Sequence, residues 1–300
     1  MGYKAVLDNP QIALIPEPAH RPAPLRGGLL KWIGNKQRYA REIVSSFPRE
    51  FGTYFEPFVG SAAVLATLHP ARAVASDTFA PLVEILQTLV MDPDSLKRWY
   101  KKRWLEFSSG ERREQYERIK ARYNKSPNAA DLLFLCRACY GGVVRFRKMD
   151  GYMSTPCGIH DPIRPESFSA RVDEWSQRLE GTMFLLADFR ETMRRAEPGD
   201  LVYCDPPYHD TQRILYGAQE FSLEALFEEI ASCKSRGVYV ALSIDGTKRS
   251  GKYTVELPVP RGLFEQELFI HGPASMLKRF QAKGRSLHNE RVSDRLLLTY

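Results

Sequence analysis

Four apolar stretches in this 300-residue chain each run into a glycine or an acid: "TYFEPFVG" (53–60), "ARAVASD" (71–77), "GTMFLLADF" (181–189) and "DLVYCDPPY" (200–208). Between and after them lie helical patterns, "SAAVLATLH", "PLVEILQTLV" and "SLEALFEEIASCKSRG", the last stopped by Gly237. Strand, turn and helix in alternation restrict the chain to a parallel sheet with helical crossovers. "VYVALSID" and the terminal "DRLLLTY" add further strands. In such a sheet, ligands bind outside the carboxyl ends of the strands. The reading puts Gly60, Asp77, Asp188 and Asp205 at those ends.

From Asp92 to Trp175 the texture changes. "LKRWYKKRW" and "ERREQYERIKARYNK" are basic, aromatic helical runs, and "RFRKMDGYMST" reads as a hairpin turning at Asp150-Gly151. The organisation expected is therefore an arm over 1–26, an α/β core over 27–91 and 176–300, and an insert over 92–175. The formal net charge of +7 favours an anionic partner such as nucleic acid. No apolar run has the length of a membrane span, and the start lacks a signal-peptide pattern, so the chain reads as cytoplasmic. The five cysteines read as reduced thiols. Cys136 and Cys139 have CxxC spacing, but nothing completes a tetrahedral zinc site, so no metal is expected.

Each strand end supports two readings. Gly60 lets backbone approach a ligand closely, or serves a tight turn alone. Asp77 and Asp188 suit ribose hydroxyls, or cap the helices that follow. In "LLKWIGNKQRYA" (29–40), Trp32 offers an aromatic wall or core packing, and Lys36 a cation for a carboxylate or a solvated charge. Two consecutive prolines cannot continue a central ladder, so the chain must leave the sheet after Cys204. Asp205 and a proline-motif carbonyl then make two fixed acceptors, suited to an exocyclic amine, with Tyr208 as a flat face. The bland reading of the same stretch is a turn.

"KWIGNK", "YFEPFVGSAAV", "VASD", "LLADF" and "VYCDPPY", in this order, resemble the Dam-like, D12-class DNA adenine-N6 methyltransferases of the alpha group, over roughly residues 27 to 300. The resemblance implies a Rossmann-like methyltransferase sheet with an inserted helical and hairpin target-recognition domain, and S-adenosyl-L-methionine as cofactor. It implies cofactor binding by Trp32, Lys36, Phe58, Gly60, Asp77, Asp188 and Phe189, and catalysis by Asp205, Pro206, Pro207 and Tyr208. "LLFLCRACYGGVVRFRKMDGYMSTPCG" is similar to the family's recognition segment; Tyr140, Gly142 and Arg145 fit, and Gly141 stands where asparagine is usual. The family's F-x-G-x-G loop here ends in Ala62, which fits if that position is already helical. "RFQAKGRSLHNERVSDRLLLTY" resembles the basic loop before the last strand.

The reaction implied is direct methyl transfer to the N6 amine of an adenine flipped out of double-stranded DNA. Arg145 is the candidate reader of a guanine edge, or a phosphate contact. Arg147, Lys148, Lys278, Arg279, Lys283 and Arg285 are candidate phosphate contacts. The alternatives are cytosine-N4 or RNA methylation, and a non-catalytic DNA-binding relative. A separately acting restriction endonuclease and the recognition sequence stay open; a monomer suffices for the chemistry.

Overall fold

The computed structural model describes residues 25, 27–147, 149–207, 221–245, 247–248, 253–254, 259–273 and 291–300. The expected arm (1–26), Lys148, Tyr208, Lys278, Arg279, Lys283 and Arg285 lie outside them, Leu25 excepted.

The expected alternation forms. Strands β1 (Tyr54–Glu56), β2 (Ala73–Asp77), β3 (Thr182–Leu186), β4 (Leu201–Cys204) and β5 (Tyr239–Asp245) pair in parallel. Two short strands, β6 (Thr247–Lys248) and β7 (Tyr253–Thr254), pair with each other apart from this sheet. The main sheet closes with β8 (Gln266–Pro273) and β9 (Arg291–Leu298), in the order β3-β2-β1-β4-β5-β9-β8. Both β5–β9 and β8–β9 are antiparallel. The order steps outward in one direction from β1 and in the other from β4. The crevice between the ends of those two neighbours is the switch point where such a sheet takes its ligand.

Helices α1 (Ala40–Ser45), α2 (Ala63–Leu68), α3 (Ala80–Met91), α8 (Phe189–Met193) and α9 (Leu223–Ser235) flank this sheet. Two strands are shorter than their sequence reading. β1 stops at Glu56, not Gly60, because Pro57 has no N–H for the ladder. β3 stops at Leu186, and Asp188 begins α8.

Residues 92–175 form α4 (Pro93–Ser108), α5 (Arg112–Lys125), α6 (Ala129–Ala138) and most of α7 (Pro165–Arg178). Asp131 on α6 ties three of them together. Its buried carboxylate takes hydrogen bonds from Arg103 on α4, Arg122 on α5 and Asn128, at 2.8–3.0 Å. Burial pushes this carboxyl up, but the three donors outweigh it and hold it below the usual range. The helices share one apolar cluster with the sheet: Tyr100, Phe134 and Trp175 are buried together with Tyr54, Leu65 and Tyr203. Between α6 and α7 the hairpin forms as expected, with Phe146 bridging Met153 and Gly151 at φ +65°.

Three donors of the insert also grip the segment that leads into Trp32. Arg137 donates to the carbonyls of Gly28 and Leu29, Arg171 to Gly28 and Trp175 to Gly27. Cys136 and Cys139 are free, buried thiols, and burial pushes both up. Among the described residues no helix is long and apolar enough to cross a membrane.

Candidate active site

A cavity of about 410 Å³ opens at the switch point. Its walls come from well-separated parts of the chain: Trp32 to Lys36, the Glu56–Val64 and Asp77–Pro81 segments, Asp188-Phe189, Tyr203 with Asp205 and Pro207, Phe221, and residues of the insert and its hairpin. Segments far apart in the chain converge because each follows a strand end or packs against one. The size is that of a pocket for one small ligand, and mixed apolar and acidic walls suit a nucleoside.

The glycine loop is held from the next strand. Gly60, at φ +46°, donates its N–H to Asp77 Oδ2 at 3.2 Å, while Asp77 Oδ1 accepts from the N–H of Phe79 at 3.0 Å. Burial pushes the Asp77 carboxyl up, against the N–H groups of Phe79, Gly60 and Thr78. Asp77 is therefore not the cap of α3; Phe79 holds that position, without a side-chain bond. Asp188 does cap its helix, accepting from the N–H of Arg190 at 3.0 Å, and pairs with the Arg190 guanidinium at 3.2 Å.

Ser61 does not cap α2. Ala62 stands at that position in the left-handed region, φ 56°, ψ 28°. The alanine is thus not in helical backbone, as its fit to the loop required. It occupies a conformation that costs an L-residue about 1–2 kcal/mol and glycine little.

One wall is aromatic. Phe58 and Phe189 stack at 5.3 Å, and Phe221 closes on both edge-on at 5.9 and 6.0 Å. Such a wall takes a flat ring by stacking. Sequence reading misses Phe221 because it belongs to no motif. On the other side Trp32, itself buried, meets Phe79 at 6.2 Å.

The charged centre joins the first motif to the last. Lys36 Nζ lies 3.2 Å from Asp205 Oδ1, with side chains 7% and 17% exposed. Lys36 is thus not a solvated charge but the partner of the strand-end acid. Behind them sits Glu56, buried, accepting from the Tyr54 hydroxyl at 2.8 Å. Burial pushes its carboxyl up to about 8; the Tyr54 and Leu65 donors work against this and the Asp205 charge adds to it. Sequence reading misses Glu56 as well. Its signal is present in "FEPF", an acid before a proline at a strand end, but running the strand on to Gly60 hides it.

The recognition candidates lie together at the insert. Tyr140 is 43% exposed, and Arg145 and Arg147 project from the hairpin. Arg147 is occupied locally, paired with Asp150 at 2.7 Å and lying over the Tyr152 ring. Gly141 and Gly142 have φ +64° and +67°. Asparagine is the side chain best tolerated at such an angle, so the glycine at 141 keeps the backbone and drops the amide.

The sequence also matches known proteins. The model of the family described as D12 class N6 adenine-specific DNA methyltransferase matches residues 32–267. A DNA adenine methylase of Vibrio cholerae serotype O1 is 27% identical over 231 residues, 71% of this chain and 79% of that one. The Retron Ec67 DNA adenine methylase of Escherichia coli is 32% identical over 191 residues, 61% and 64% of the two chains. A Type II methyltransferase of Lactococcus lactis subsp. cremoris is 26% identical over 234 residues, again 71% and 79%.

Proposed function

The chain belongs to the D12 class N6 adenine-specific DNA methyltransferases, and from that premise we propose that it methylates adenine N6 at one short sequence in duplex DNA, using S-adenosyl-L-methionine. The observation that carries the reading is the buried Lys36–Asp205 pair in the wall of a nucleoside-sized cavity.

The residues present fit the cofactor. Phe58, Phe189 and Phe221, with Asp188 beside them, would hold its adenine, Asp77 its sugar side, and the Gly60 loop would let backbone close on it. When bound, it supplies a methyl group on a positively charged sulfur. The rest is the work of this chain.

An adenine N6 is a poor nucleophile because its lone pair is delocalised into the ring. Asp205 and a carbonyl of the Asp205–Pro207 run would accept its two N–H bonds and draw the nitrogen toward tetrahedral geometry. Lys36 acts on the acid itself. An ammonium at 3.2 Å favours the ionised form of Asp205, the form that can only accept. The prolines stiffen the backbone that carries both acceptors, so catalysis is positioning and charge placement. Tyr208, next in the chain, would stack on the base.

The target amine sits inside a duplex, so the base must be flipped out at a cost of a few kcal/mol, offset by phosphate contacts. We assign that task to the basic insert and read Arg145 as the side chain that meets a base edge. The test is to incubate protein and methyl-labelled S-adenosylmethionine with unmethylated DNA duplex and, in parallel, with RNA, then digest each to nucleosides. Label in N6-methyladenine supports the reading; label in N4-methylcytosine, or in RNA alone, overturns it.

A further inference from the structure

The hairpin that carries Arg145 does not merely stand beside the cavity; it forms part of its wall. Phe146 and Gly151 of the hairpin line the cavity together with Trp32, Phe79 and Tyr123. Phe146 is 7% exposed and meets Phe79 edge-on at 5.4 Å and Tyr123 at 6.3 Å. Phe79 in turn meets Trp32, and its N–H is bound by Asp77 Oδ1. A continuous aromatic path therefore runs from Asp77 in the cavity wall to the hairpin.

Strand geometry decides what faces outward. Successive side chains point to opposite sides, so with Phe146 turned in, Arg145 and Arg147 must turn out; both are exposed. The hairpin is braced to hold that register. Arg145 N–H donates to Thr155 Oγ1, and Ser154 N–H donates to the Arg145 carbonyl, each at 2.9 Å. On the next strand, Asn124 of α5 holds both the N–H and the carbonyl of Met153.

We infer that Phe146 is a positioning residue that couples occupancy of the methyl-donor pocket to the reading of DNA by the hairpin. The inference rests on the reading of this cavity as the methyl-donor site. A ligand packed against Trp32 and Phe79 settles Phe146, and Phe146 settles Arg145. Linkage then requires the reverse: target DNA on the hairpin must tighten the pocket by the same factor.

The experiment measures the affinity of S-adenosyl-L-homocysteine, a non-reacting probe, for protein carrying a duplex with the methylated motif and for protein carrying a scrambled duplex. The ratio is the readout, because loss of folded protein lowers both affinities and leaves their ratio unchanged. The wild-type ratio is expected at about ten-fold, within the usual range of such couplings. In Phe146→Ala it falls below about two-fold while the probe still binds free protein, and Phe146→Leu lies between. If the alanine variant does not fold, the leucine variant is read in its place against the wild type. A ratio unchanged by substitution, or a wild-type ratio of one, overturns the coupling and leaves the pocket reading intact. A wild-type protein that binds no probe at all overturns the pocket reading itself.

Discussion

Lys36 Nζ and Asp205 Oδ1 stand 3.2 Å apart, although the two residues lie far apart in the chain. The pair joins the loop before α1 to the end of β4, and both side chains are largely out of solvent. Breaking a buried pair is costly, because the desolvated charge that stays behind loses its counter-charge. The pair thus fixes where the acid points, and in the mechanism proposed above it also favours the ionised acceptor.

Asp205→Asn keeps the shape and removes the charge. Transfer is expected to fall by roughly 10²–10³-fold or more, while S-adenosylmethionine still binds by calorimetry. The unfolding free energies of Lys36→Ala, Asp205→Ala and the double variant should be non-additive, by about 0.5–3 kcal/mol. Additive values would mean that the pair does not act as one.

Glu56 makes a pH prediction. Its carboxyl is raised to about 8 by burial, so the folded protein holds a proton there that the unfolded chain releases near the ordinary value of 4.5. Its contribution to stability is full below that lower value and is lost as pH rises through about 8. Urea unfolding of the wild type should weaken across this window relative to Glu56→Gln, which has no proton to lose. Parallel curves for the two proteins would show that Glu56 is not protonated in the fold.

Gly141 and Gly142 should respond differently to substitution. A Cβ at 142 would lie 2.7 Å from Lys31 Cβ, on top of the left-handed strain of about 1–2 kcal/mol. Gly142→Ala should therefore destabilise by more than about 1 kcal/mol. Gly141→Asn, at φ +64°, should cost less than about that amount, because asparagine tolerates the angle. Thermal unfolding of both variants checks the order; equal losses would contradict it.

Ala62→Gly sets two effects against each other. It relieves left-handed strain of about 1–2 kcal/mol, but removes a fully buried methyl worth roughly 0.8 kcal/mol and adds chain entropy to the unfolded state. The expected change in stability is under about 1 kcal/mol, with cofactor affinity preserved. A large gain in affinity on restoring glycine would show that the loop is compromised as it stands.

Arg145→Ala should lower discrimination between target and scrambled duplex more than it lowers affinity for the scrambled one, by about 1–3 kcal/mol for a lost bidentate base contact. Equal weakening on both duplexes would make Arg145 a phosphate contact.

Much of the site is legible in the chain because strand ends announce themselves. Gly60, Asp77, Asp188 and Asp205 are readable as acids or glycines closing apolar runs, and they line one cavity or hold its loop. The hairpin is readable from Asp150-Gly151. The rest depends on chain-distant packing or on backbone angle. Nothing in "KWIGNK" says that its lysine meets the acid of "CDPPY", and Phe221 and Phe146 become wall residues only through contacts with Phe58 and Phe79. Ala62 reads as helical because the residues after it are; the left-handed turn before α2 is a three-dimensional requirement of the loop.

The most direct measurement is to incubate the wild-type protein and Asp205→Asn with S-adenosylmethionine and genomic DNA from a methylation-free host, then map modified bases by long-read sequencing. The wild type should place N6-methyladenine within one short motif, and the variant should leave the DNA unmodified. Modification of cytosine, adenine methylation without a motif, or equal methylation by the variant would contradict the assignment.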